Sequence, residues 1–131
     1  MTIRSGICVV DDDASMRQAL VGLLKSAGFH PEAFASAEEF LESGRLADTG
    51  CLVLDVRMGK MTGLELQEQL IASGSIIPII LITAHCSEDS RMRALDLGAL
   101  DFLQKPFSDK ALLEAIAKAV GTPGCCAGLT R

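Results

Sequence analysis

A chain of 131 residues, 49% of them hydrophobic, can close one continuous core and is too short for two. Its formal charge of -5, with no Trp or Tyr and only five Phe, excludes a surface that holds nucleic acid by neutralising phosphates or stacking bases. The opening MTIRSG runs into a short apolar segment ended by Asp11, Asp12 and Asp13, which matches neither a signal peptide nor a membrane span, so a cytoplasmic location is expected.

Taken in order, the first expected strand is Ile7 to Val10. The helix after it carries Met16, Leu20, Leu23, Leu24 and Ala27 on one stripe and stops at Gly28. A second strand, Pro31 to Phe34, precedes a short helix for which Ser36 and Glu39 have capping-box spacing. The third strand, Cys51 to Leu54, leads to a helix opened by Thr62 and Glu65 and ending near Gly74. The fourth strand is Ile79 to Ile82, with a helix from about Ser87 to Leu97 that stops at Gly98. The fifth strand is Asp101 to Leu103; its helix opens at Ser108, buries Leu112, Leu113, Ile116 and Val120, and stops at Gly121.

Apolar runs alternating with amphipathic stretches predict an α/β fold of βα units around a parallel sheet. Most runs are apolar throughout, as strands covered by helices on both faces require. Residues 1–121 form the expected domain. Residues 122–131, rich in Gly, Pro and small side chains, are expected to be a disordered tail or linker stub. The five cysteines include no CxxC pair: Cys8 and Cys51 read as buried thiols, and Cys125 and Cys126 as sites of adventitious oxidation.

In an open parallel sheet, ligands bind beyond the carboxyl ends of the strands. The residues there are Asp11, Asp12 and Asp13 after the first strand, Asp55 after the third, Thr83 after the fourth, and Lys105 and Pro106 after the fifth. Several carboxylates on one rim repel one another unless a cation or a shared proton offsets them. With no imidazole or thiolate beside them, oxygen ligands favour Mg2+ or Mn2+. A metal, a lysine and a hydroxyl around one carboxylate suit phosphoryl transfer, with Asp55 as nucleophile. Each residue alone has a plainer reading: Asp13 as a helix cap, a strand-end Asp as a turn residue, Thr83 as a helix-approach residue, Lys-Pro as a turn. Their joint occurrence at successive strand ends is what points to chemistry.

The segments VVDDD, LVLDVRMGKMTG, ILITAH and ALDFLQKPF resemble the receiver domain of bacterial two-component response regulators over roughly Ile7 to Val120. The resemblance implies a flavodoxin-like, doubly wound five-stranded sheet of order 2-1-3-4-5 with five helices. It also implies that Asp55 is the phosphoacceptor, that Asp12 ligates the metal directly and Asp11 through water, and that Arg57 contributes its backbone carbonyl. Thr83 matches the hydroxyl and Lys105 the lysine that meet the phosphoryl group, Phe102 the aromatic switch, and Pro106 a proline preceded by a cis peptide. The chain is then a phosphoacceptor rather than an enzyme, limited to self-phosphorylation from small donors and self-dephosphorylation. Its donor is a sensor histidine kinase. The resemblance implies that the output face, the fourth helix and fifth strand, serves as a homodimer interface when the chain is phosphorylated. Arg91, Arg93, Asp96 and Asp101 fit charged contacts there, and fit a solvated helix face equally well.

DFLQKPF and GLELQEQL are most similar to receivers followed by a helix-turn-helix output domain, which implies transcriptional control and DNA contact only through such a domain. About ten residues follow the last expected helix here, so either an excised receiver or a free-standing one is expected. Two positions depart from the family. Gly59 follows Met58 where proline is usual, which should weaken preorganisation for the metal. His85, two residues after Thr83, fits a tuner of phosphate lifetime or a loop histidine without a role. Two other readings compete: a metal-dependent phosphohydrolase, which needs a second acid where Arg57 stands, and a receiver-like module that is never phosphorylated.

Overall fold

Helix starts in this chain are set by side chains that accept from the first free backbone N–H groups, and helix ends by backbone turns through glycine. The computed structural model describes residues 6–44, 49–56, 62–74, 77–84, 87–105 and 107–120. In it, Asp13 caps α1 (Ala14–Ser26) by accepting from the N–H groups of Ser15 and Met16. At α2 (Ala37–Glu42) the expected box is rearranged: Ser36 Oγ accepts from Glu39 N–H, while Glu39 Oε1 accepts from Ala35 N–H, one residue before the cap. At α3 (Gly63–Ala72), Thr62 and Glu65 make the complete reciprocal box. Ser87 caps α4 (Glu88–Asp96), and Ser108 Oγ accepts from Ala111 N–H at the start of α5 (Asp109–Val120). Gly28 and Gly98, both at φ 94°, take up after α1 and α4 the left-handed conformation that glycine adopts without steric cost.

The strands are β1 (Gly6–Val10), β2 (Pro31–Phe34), β3 (Thr49–Asp55), β4 (Ile79–Thr83) and β5 (Asp101–Gln104), all parallel in the order β2-β1-β3-β4-β5. β3 is longer than its apolar run: Thr49 is buried with its hydroxyl 3.3 Å from Cys8 Sγ, and Asp55 is its last residue, paired with Ile82. Alternate strand residues point to opposite faces. Cys8, Val10, Leu52, Leu54 and Leu81 pack with Phe40, Leu66 and Leu70 beneath α2 and α3, whereas Ile7, Val9, Val53, Ile80 and Ile82 pack with Leu20, Leu24, Leu112 and Ile116 beneath α1 and α5. On α5 the sheet-facing set is Leu112, Ala115 and Ile116; Leu113 and Val120, expected to be buried, are half-buried because they lie at the margin of the stripe.

α4 is held differently from the other helices. Ala94 is its only fully buried residue. From α3, the fully buried Gln67 donates Nε2–H to Ala94 O at 3.1 Å, while its Oε1 finds no hydrogen-bond partner among the described residues. Arg93 pairs with Glu68, so it faces α3 rather than β5, which removes it from the expected set of output-face charges.

Candidate functional site

The chain leaves β1 and β3 at the place where the strand order reverses, and the crevice between such strands is where open α/β sheets hold ligands. Asp11 follows β1 and is completely buried; Asp55 closes β3 and is 7% exposed. Lys105 follows β5, two strands away, and crosses the end of β4 to reach both. Its Nζ donates to Asp55 Oδ2 at 2.9 Å and stands 3.6 Å from Asp11 Oδ2. Thr83, buried at the end of β4, is tied to the same group through its backbone, its carbonyl accepting from Lys105 N–H at 2.7 Å. Four of the sequence-predicted residues therefore meet at, or are anchored to, one point.

The electrostatics follow from burial. Desolvation pushes the Asp11 carboxyl up from 3.8 to about 6; the Asp13 N–H and Lys105 pull against this, and the neighbouring Asp55 charge adds to it. Burial alone would lower the Lys105 ammonium, but its hydrogen bond to Asp55 and the charges of Asp11 and Asp55 outweigh that and hold it above 10.5. Lys105 therefore remains a fixed cation across the physiological range.

Asp11 Oδ1 accepts from Asp13 N–H at 2.9 Å, whereas Asp11 Oδ2 is buried with no hydrogen-bond partner among the described residues. A buried carboxylate oxygen left without a donor, beside a second carboxylate, fits a hard cation. Asp12, one residue on, is exposed at the mouth. Among the described residues no three ligand-type side chains close on one point. The third protein ligand implied by the resemblance is the main-chain carbonyl of Arg57, which lies outside the described residues, as do Met58, Gly59, His85 and Pro106. Phe102, the expected aromatic switch, is half-buried and packs on the α2 and α3 side of the sheet.

Two residues at the site escaped sequence reasoning. Arg17 Nη1 donates to Asp11 O at 2.7 Å. Gly63, immediately after the Thr62 cap, lies so close to β3 that a Cβ would sit 2.6 Å from Asp55 O. The signal for the first was a cation in the opening turn of a helix, where the dipole disfavours it; for the second it was a glycine at the first helical position. Cys8 and Cys51 are buried thiols as expected, and burial pushes the Cys51 thiol up to about 12, so it carries no thiolate chemistry.

A pH dependence follows. Between about pH 4 and pH 6 the metal-free folded state binds more protons at Asp11 than the unfolded chain does. Stability is therefore lost as pH rises through that window, by an amount on the order of 3 kcal/mol. Relative to wild type, Asp11→Asn is expected to gain this amount as pH rises through about 6 and to show a constant difference below about 4. Urea unfolding without divalent metal checks it, and a variant that tracks the wild type at every pH contradicts it.

A family model described as the response regulator receiver domain matches residues 7–117. Nodulation protein W of Bradyrhizobium diazoefficiens is 46% identical over 113 residues, which is 86% of this chain and 50% of that protein. Transcriptional regulatory protein FixJ of Azorhizobium caulinodans is 42% identical over 113 residues, 86% of this chain and 54% of that protein. A solved structure of the response regulator StyR superposes with a TM-score of 0.82 at 51% identity, covering 88% of this chain and 58% of that one. The chain thus spans about half the length of the curated relatives it matches.

Proposed function

The chain belongs to the response regulator receiver domain family of two-component systems, and from that membership we propose that Asp55 accepts a phosphoryl group from a sensor histidine kinase. The observation that carries the reading is the position of Lys105 Nζ, 2.9 Å from Asp55 and 3.6 Å from Asp11 at the β1/β3 crevice. An Asp55 carboxylate oxygen attacks phosphorus, the bond to the donor imidazole nitrogen breaks, and an acyl phosphate forms. Lys105 offsets charge on the transferring oxygens and Thr83, at the end of β4, supplies a hydroxyl for the product state. Asp12, Asp11, Asp55 and the Arg57 carbonyl would hold Mg2+ or Mn2+, which when bound neutralises phosphoryl oxygens. An apolar cavity of about 850 Å³, lined by Met16, Leu20, Leu23, Phe107 and Lys105, gives a donor protein a surface beside the phosphoacceptor.

The phosphorylated state favours one arrangement of α4 and β5. Met92 and Leu95 of α4 and Leu100 just before β5 are 52%, 39% and 38% exposed, an apolar patch suited to an isologous homodimer. Transcriptional output fits the named roles of the relatives and would act through a further domain or a partner protein. We place the protein in the cytoplasm; among the described residues no helix is long and apolar enough to cross a membrane.

The test is incubation with Mg2+ and acetyl phosphate, read by intact mass and sedimentation. One added phosphoryl group and a shift toward dimer are expected. No added phosphate sinks the reading in favour of a module that is never phosphorylated. Steady turnover of phosphate esters points instead to a phosphohydrolase.

A further inference from the structure

We propose that Arg17 is a positioning residue for the acidic pair, fixing through the Asp11 carbonyl the peptide that carries Asp12. The guanidinium, partly buried against the β1–α1 turn, donates from Nη1 to Asp11 O at 2.7 Å. That oxygen belongs to the peptide joining Asp11 to Asp12, and a peptide is planar, so holding its oxygen also holds the N–H and Cα of Asp12. Other groups of Asp11 are also tied in place. Its N–H donates to Phe34 O of β2 at 3.1 Å, its Oδ1 accepts from Asp13 N–H at 2.9 Å, and its Oδ2 faces Lys105. The Arg17 bond thus fixes the peptide from which the exposed Asp12 carboxylate extends.

The placement of Arg17 supports a role outside helix stability. It lies in the opening turn of α1, whose free N–H groups are already met by the Asp13 cap and where none of the helix's own first-turn residues is acidic. A cation there opposes the helix dipole, and its gain comes from reaching back to Asp11. Arginine suits this reach because its planar fork is already organised for hydrogen bonding.

This inference rests on the reading of Asp12 as a metal ligand, and its test separates the two. Mg2+ is titrated calorimetrically into the wild-type chain and into Arg17→Met, which keeps the aliphatic stem, and Arg17→Lys, which keeps a donor. Arg17→Met is expected to raise the Mg2+ Kd about tenfold, the lower end of what removing an outer partner of a metal ligand costs. Arg17→Lys is expected to recover most of that loss. Without metal, amide exchange at Asp12 and Asp13 should be faster in Arg17→Met, while the sheet amides and Tm stay near wild type. Unchanged Mg2+ affinity in Arg17→Met overturns the role of Arg17 alone. A wild-type chain that takes up no Mg2+ overturns the metal reading beneath it as well.

Discussion

Asp55→Asn is expected to take up no phosphoryl group at all under conditions that load the wild type, while melting at or above the wild-type temperature. An amide oxygen lacks the charge and basicity of the carboxylate nucleophile, so the loss is complete rather than graded. The structural side is equally specific. The asparagine Oδ1 can still accept from Lys105 Nζ, which in the wild type bonds Asp55 at 2.9 Å. At the same time the substitution removes a negative charge that raises the Asp11 carboxyl, so buried Asp11 ionises more readily. Intact mass after acetyl phosphate and a thermal melt together check both halves. A phosphorylated variant would move the phosphoacceptor elsewhere on the rim, and a marked fall in Tm would contradict the account of crowded charge.

Gly63→Ala is expected to destabilise the fold by about 1–3 kcal/mol. A Cβ there would meet Asp55 O at 2.6 Å, with Leu81 Cδ2 and Val56 Cα at 3.1 Å, and two of these three atoms belong to the backbone of β3 and its exit. A side chain could turn away; a strand paired on both edges cannot. The start of α3 must therefore lift, straining the Gly63 N–H bond to Val56 O, now 2.9 Å, and displacing the main chain of Asp55. A fall in Tm of about 5–10 °C with slowed phosphorylation is the expected result. Gly22, in the middle of α1 with nothing within 4 Å of its missing Cβ, is the control. Alanine there should stabilise by about 0.5–1 kcal/mol. If both substitutions behave alike, the close approach at Gly63 is not what decides the outcome.

The architecture was legible because local and global signals agree: apolar runs flanked by Ser, Thr and Asp caps and Gly stops mark every element, and strand-end polar residues mark the rim. Thr62 with Glu65 behaves as its spacing predicts, and Asp13 is the cap its position suggests. What the residues alone could not give was everything that depends on distance across the sheet. Lys105 meets Asp55 only because β4 lies between β3 and β5, and Arg93 turns to Glu68 only because α4 sits beside α3. Leu113 and Val120 are as apolar as Leu112 and Ile116, and helix rotation alone decides which pair reaches the sheet. Arg57, Gly59 and His85 lie outside the described residues, so the Arg57 carbonyl role rests on the resemblance and the expectations for Gly59 and His85 on where the chain departs from it.

Among the described residues the attachment of α4 is thin, one buried alanine, one amide from Gln67 and the exposed Arg93–Glu68 pair, which bears on how much work a signal must do. Reversing a 1:99 equilibrium to 99:1 takes about 5.5 kcal/mol of differential binding. In the proposed phosphorylated state Thr83 would add one charge-assisted hydrogen bond, about 1.5–3 kcal/mol, while Lys105, already bonded to Asp55 at 2.9 Å, would exchange one acceptor for another. A helix anchored through a broad apolar face would set a gap beyond that range. With Ala94 as its one fully buried residue, α4 would present a smaller gap for the proposed modification to close, and among the described residues Gln67 Oε1 has no hydrogen-bond partner.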